Sequence, residues 1–276
     1  MAGVLYIVAT PIGNLDDLTL RAAKILQEVA GVACEDTRQT AKLMEAAGAR
    51  QPLISLHEHN EADRAPELVR RLQQGESFAL VSDAGTPLIS DPGFRLVRLA
   101  IESGVRVCPL PGPSAVLAAL SASGLETDSF FFGGFLPHKS KARQDTLRQY
   151  GSLATTLIFF ESPHRILECL SDLETVLPGR RVVLARELTK IHEEFLRGSA
   201  PEIYSALAGR AAIKGEFTLL IGKPDAENRR LSSAEMVQAV NDLVSTGMDR
   251  MEAIKKIARE SGLSKREVYE VVVNKS

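Results

Sequence analysis

Three stretches of the chain carry side chains able to do chemistry. Glu35-Asp36-Thr37-Arg38 sets two carboxylates beside a guanidinium. Such a group can take up a proton, orient a hydroxyl or hold a phosphate. Its plainer reading is a helix start, where acids are favoured by the dipole. Ser82-Asp83-Ala84-Gly85-Thr86-Pro87 combines a carboxylate with a backbone that Gly85 frees and Pro87 deprives of a donor. Between 138 and 148, the four cations Lys139, Lys141, Arg143 and Arg148 face one acid, Asp145. That density suits either phosphate contact or a solvated helix start. Glu161 and Glu187 are further carboxylates just past apolar runs. His57-x-His59 has the spacing of half a metal site, but no third ligand follows at a workable distance, so no metal is expected.

These groups need strand ends to position them. Phe78 to Val81 is a short apolar run of the kind buried on both faces of a sheet. Breakers follow at 82–87 and again at Asp91-Pro92-Gly93, then a helix from Phe94 to Ile101. Val4–Ala9, Gly31–Cys34, Pro52–Leu56 and Val105–Leu110 repeat the pattern. The helices between them include Thr40–Gly48 and Ala65–Leu72. The last is the small-residue helix Ala115–Ser123, with Ser114 as its cap. Five βα units predict a parallel sheet, whose ligands sit in the crevice beyond the strands' carboxyl ends. The loop after Val81, taken alone, also reads as a tight βα turn capped by Asp83. No G-x-G-x-x-G is present, which argues against a nicotinamide dehydrogenase.

After Gly124 the character changes. Phe130–Phe135, Thr155–Phe160, Val182–Ala185, Phe195–Gly198 and Gly215–Gly222 supply a second sheet. The expected division is an N-terminal α/β domain over 1–122, a second over 123–223, and a linker with a helical extension over 224–276. Residues 223–233 are polar and read as the linker. Helices over Ala234–Ser245, Arg250–Glu260 and Lys265–Val273 follow. The last two are joined by Ser261-Gly262-Leu263-Ser264, which is helix-turn-helix spacing. From 227 to 276 there are nine cations and eight acids. That balance is weak for duplex DNA and fits a docking module equally.

Bulk properties narrow the class. The 276 residues carry a formal charge of −2, so nucleic acid can be met only by a local patch. No apolar run approaches the roughly 18 residues of a membrane span, so no membrane partner is expected. Three widely spaced cysteines, and an N-terminus running straight into a strand, predict a reducing, cytoplasmic location.

Eight blocks then occur in order: LYIVATPIGNLDD (5–17), CEDTRQT (34–40), LVSDAGTPLISDPG (80–93), PLPGPSA (109–115), GFLPHKSKAR (134–143), FFESPHR (159–165), ARELTKIHEE (185–194) and GEFTLLI (215–221). Together they resemble the tetrapyrrole-methylase superfamily over essentially the whole chain. Within it they resemble the branch that methylates a cytidine ribose 2′-oxygen in the decoding region of 16S rRNA. Precorrin methylases usually carry a Gly-rich first loop, and Gly-Asp-Pro in place of Ser82-Asp83-Ala84. The resemblance implies two α/β domains gripping S-adenosylmethionine in the cleft between them, and a homodimer acting on 16S rRNA within the small ribosomal subunit. It places the cofactor against Ile12, Asp83, Ala84, Gly85, Thr86, Ser114, Ala115, Phe160, Leu188 and Glu216. Among the cleft carboxylates Asp36 and Glu35 rank first as bases, ahead of Glu161 and Glu187. Arg38 would hold a phosphate or orient them, and Lys139, Lys141 and Arg143 would contact RNA phosphates. The competing readings are a small-molecule methyltransferase of the tetrapyrrole or precorrin type and a non-enzymatic DNA-binding regulator.

Overall fold

The computed structural model describes residues 2–224, 233–261 and 263–273. The first sheet contains β1 (Val4–Val8), β2 (Gly31–Cys34), β3 (Leu53–Ser55), β4 (Phe78–Leu80) and β5 (Arg106–Leu110), in the order β3-β2-β4-β1-β5. Every pairing is parallel, as the βα repeat requires. Helices cover both faces. Leu5, Ile7 and Phe78 pack under α3 (Glu61–Gln73) and α4 (Phe94–Glu102). Val8, Val32 and Ala79 pack under α1 (Leu20–Glu28) and α2 (Thr37–Ala46). Two covered faces explain why these strands read as unbroken apolar runs. Pro109 lies in β5, an edge strand, where its missing N–H costs no ladder bond. Helix α2 starts three residues earlier than the apolar spacing predicts, because Asp36 caps it by accepting from Arg38 N.

The second sheet holds β6 (Phe130–Phe135), β7 (Thr156–Glu161), β8 (Val182–Arg186), β9 (Glu194–Gly198) and β10 (Phe217–Ile221), ordered β6-β7-β10-β8-β9. Only β6 and β7 run parallel; the other pairs are antiparallel. One face packs on α6 (Ser140–Gly151), α7 (Ile166–Val176) and α8 (Ala200–Ala208) through Leu147, Phe159, Leu170, Ile203 and Leu219. The other face is covered by α5 (Ala115–Ser123), whose Val116, Ala119 and Leu120 meet Ile158, Val183 and Leu220. The division expected after residue 122 follows this helix, which lies on the second sheet with Ile12 of the first lobe in the same cluster. The chain crosses from the first sheet to the second between β5 and α5.

A third unit, α9 (Ser233–Ser245), α10 (Arg250–Glu260) and α11 (Lys265–Val273), has its own core of Val240, Ala253, Ile254, Ile257, Val268 and Val272. Ser264 and Glu267 form a reciprocal cap at the start of α11. Residues 225–232 of the expected linker and Gly262 of the expected turn lie outside the described residues. Among the described residues, no helix is long and apolar enough to cross a membrane.

Candidate active site

The loops after β1 and β4 are clasped by their backbones. Thr10 N–H donates to Gly85 O at 2.8 Å, and Gly85 N–H donates back to Thr10 O at 3.0 Å. Gly85 has φ of 79°, a conformation that disfavours any side chain. Thr86 Oγ1 donates to Pro113 O at 3.1 Å, tying the loop after β4 to the loop before α5. Ser114 Oγ then caps α5 by accepting from Leu117 N. The second lobe closes onto this platform at Gly13. A Cβ there would come within 2.5 Å of Lys190 Cγ and 3.0 Å of Leu188 O, so the absence of a side chain allows the approach.

Between the lobes lies a cavity of about 330 Å³. The first lobe contributes Ile12, the runs 84–86 and 89–91, and the start of α5. The second contributes Phe135 from β6, residues 160–163 at the end of β7, Leu188, and residues 215–218 leading into β10. Ile12, Ala115, Phe160 and Leu188 belong to one apolar cluster, which gives the cavity a greasy wall under a polar rim. Strained backbone stands on both sides: Leu88 and Ser90 on one, Glu187 and Thr189 on the other, have φ between 50° and 76°. Positive φ at non-glycine residues is uncommon and concentrates where function demands it.

The second lobe's carboxylates are held by cations. Glu161 is buried, with Oε1 accepting from Ser162 N at 2.7 Å and paired to Arg165 at 2.6 Å. Its Oε2 is buried without a hydrogen-bond partner among the described residues. Lys190 bridges Glu187 at 2.9 Å and Glu216 at 2.8 Å. The Lys190 hydrogen bond keeps Glu187 below the usual carboxylate range.

Nine of the ten residues expected to meet the cofactor line this cavity: Ile12, Ala84, Gly85, Thr86, Ser114, Ala115, Phe160, Leu188 and Glu216. Asp83 does not. It is exposed, and its Oδ1 accepts from Asp36 N at 3.2 Å. Glu35, Asp36 and Arg38 also lie off the cavity wall, at the end of β2. Asp36 is engaged in capping α2 and in a fork to Arg38, with bonds of 3.1 and 2.8 Å. Those Arg38 bonds lower its pKa to about 2. Glu35 is shifted upward, first by burial and then by the charges of Asp83 and Glu58. The sequence missed Asp91, visible there only as part of a chain breaker; the structure puts it on the wall.

Asp36 yields a pH prediction. Its folded pKa lies below its ordinary 3.8, so its stabilising contribution is full above that value and fades as pH falls towards 2. Wild type and Asp36→Asn should therefore differ in denaturant midpoint at pH 6 and converge near pH 2. Midpoints measured across that range check it.

Arg143 requires a correction. Its side chain is fully buried and cannot meet a phosphate. Nε donates to Asp172 at 2.7 Å, Nη1 to His138 O at 3.3 Å, and Nη2 to Glu168 at 3.4 Å. Lys139 and Lys141 stay exposed where α6 begins, so the cation tract opens a helix. No three His, Cys, Asp or Glu side chains among the described residues are grouped to hold a metal ion.

The profile of the Tetrapyrrole (Corrin/Porphyrin) Methylases matches residues 4–204, and the chain belongs to that family of methyl-transferring enzymes. Its fold is also that of the uroporphyrin-III C-methyltransferase from Thermus thermophilus solved with S-adenyl homocysteine: the TM-score is 0.55 at 18% identity, over 80% of this chain and 97% of that one. Within the family it is similar to proteins named Ribosomal RNA small subunit methyltransferase I. That of Halalkalibacterium halodurans is 46% identical over 273 residues, covering 98% of this chain and 94% of the relative. That of Haemophilus influenzae is 45% identical, covering 98% and 96%.

Proposed function

We propose that the chain transfers a methyl group from S-adenosylmethionine to the ribose 2′-oxygen of a cytidine in 16S rRNA, within the small ribosomal subunit. It would do so as a cytoplasmic homodimer. The observation that carries this reading is the near-full-length similarity to relatives of that name, joined to a cavity lined by the residues the resemblance selects. The cavity volume lies within the roughly 300–1,000 Å³ usual for small-ligand sites. Its character suits the donor. The greasy wall of Ile12, Ala115, Phe160 and Leu188 offers a place for an adenine ring, and the backbone N–H groups of Ala84 and Thr86 on the same wall can donate hydrogen bonds. The orphaned Glu161 Oε2 wants a donor proton, which the ligand's amino and hydroxyl groups can supply. When bound, the donor supplies an electrophilic methyl on a positively charged sulfur. The chain's residues supply position: the Thr10–Gly85 clasp shapes the first lobe's platform, the second lobe closes on it at Gly13, and together they fix where methyl and hydroxyl meet.

The reading is tested with labelled S-adenosylmethionine and small subunits lacking the modification. Label should appear on a cytidine ribose; label on a base, or none on rRNA, defeats it. Lys139 and Lys141 are the phosphate contacts in this reading. Changing both to alanine should weaken subunit binding and flatten its dependence on log salt by about 1.4 to 1.8, or 0.7 to 0.9 per lost phosphate contact. Titrations between 50 and 200 mM salt, on the order of the range where such slopes are read, check this.

A further inference from the structure

The carboxylates around the cleft divide into those with a cation and those without. Asp36 has Arg38, Glu161 has Arg165, and Glu187 and Glu216 share Lys190. Among the described residues Glu35, Asp83 and Asp91 make no ion pair. Glu35 and Asp83 are exposed and lie off the cavity wall. Asp91 is half-buried and on the wall. Its visible contact is a hydrogen bond accepted from the Ser82 hydroxyl, with no cation to offset its charge. The cap of α4 is Gly93, with no side-chain hydrogen bond, so Asp91 does not close that helix. The backbone that carries it is strained, with φ of 76° at Leu88 and 70° at Ser90. An unpaired carboxylate half withdrawn from water beside like charges costs stability, and strain adds to that cost.

We propose that Asp91 is the catalytic residue that accepts the proton of the ribose 2′-hydroxyl as its oxygen is methylated. This rests on the function proposed above. The step balances: the oxygen–carbon bond forms, the carbon–sulfur bond breaks with its electron pair going to sulfur, and the hydroxyl proton passes to a carboxylate oxygen of Asp91. A protonated hydroxyl is a poor nucleophile, and a positioned base typically contributes about 100- to 10,000-fold. Asp91 suits the work at neutral pH. Burial, then the charges of Glu35 and Asp83, lift its pKa to about 6 against an opposing hydrogen bond from Ser82. It is then largely ionised at pH 7 yet more basic than an ordinary aspartate. Glu35 comes from the end of β2 and Asp83 from the end of β4; across the cavity, Glu161 is neutralised by Arg165.

The test is Asp91→Asn, compared with wild type by rate on unmodified subunits, donor calorimetry and thermal melting. Transfer should fall at least about 100-fold. Donor affinity should stay within about twofold, a change of under half a kcal/mol. The acid limb of the wild-type pH–rate profile, with its midpoint near 6, should vanish from the residual activity. Melting at pH 7 should be equal or higher, since an unpaired charge is removed. Asp91→Glu should recover part of the rate. In the donor-free protein, a carboxyl NMR resonance assigned by its loss in Asp91→Asn should titrate near pH 6. A near-normal rate, a retained acid limb, lost donor binding or a lower melting temperature would each overturn the assignment. Wild type that methylates ribose beside an unimpaired variant removes Asp91's role alone. Wild type that leaves ribose untouched removes the functional reading beneath it.

Discussion

Ala115→Trp is expected to abolish donor binding and methyl transfer while leaving the fold intact. Ala115 stands at the first position of α5, on the cavity wall, in the same apolar cluster as Ile12, Phe160 and Leu188. An indole there has an apolar hollow to fill, and filling it removes the space a ligand needs. Calorimetry should show donor affinity down by at least about 100-fold, or ~2.8 kcal/mol. Melting should hold, because the substitution adds apolar contact and disturbs no hydrogen bond. The chain contains no tryptophan, so the new indole would be the sole fluorophore of its kind. Blue-shifted emission would place it in the cavity. Blue-shifted emission together with unchanged donor affinity would show that the donor binds elsewhere.

Arg143→Met should destabilise the second lobe by about 3–5 kcal/mol, because it strands a partner charge in the interior. Asp172 is mostly buried, and burial alone would raise its pKa. Bonds from Gln144, Ser140 and Arg143 outweigh that and hold it low. Removing the guanidinium leaves the carboxylate charged with only neutral donors. Adding Asp172→Asn should restore part of the loss, since the uncompensated charge then disappears. Denaturant midpoints for the four members of this cycle check it. RNA affinity measured on folded protein should not change. A large fall in RNA affinity at unaltered stability would return Arg143 to the RNA surface.

Parts of this molecule were legible from residue order alone. The parallel sheet was, because strands covered on both faces are continuous apolar runs, and each of the five ends in a breaker or a helix cap. Nine residues of the cavity wall could be named through the resemblance, since each falls at a fixed position of a motif. Other features depend on distance through space. Arg143 reads as one cation in a basic tract; that Asp172 lies across from it is set by α6 packing on α7. Helix α5 is apolar or small all round, so its pattern names no preferred face, and only the structure shows it lying on the second sheet. Glu35 and Asp36 stand at a strand end, as a catalytic pair would, but β2 lies on the far side of β4 from β1, away from the cavity. Asp91 hid inside Asp-Pro-Gly, where a turn explains it without residue.

The central claim is that the two lobes together hold the methyl donor. It is tested most directly by a crystal structure of the protein grown with S-adenosylmethionine. Density for the donor should lie between the loop at 84–86 and the second-lobe segments at 160–163 and 215–218, touching Ile12 and Leu188 and reaching Glu161 Oε2. Donor density seated outside that space, in a protein shown to bind it in solution, would contradict the account.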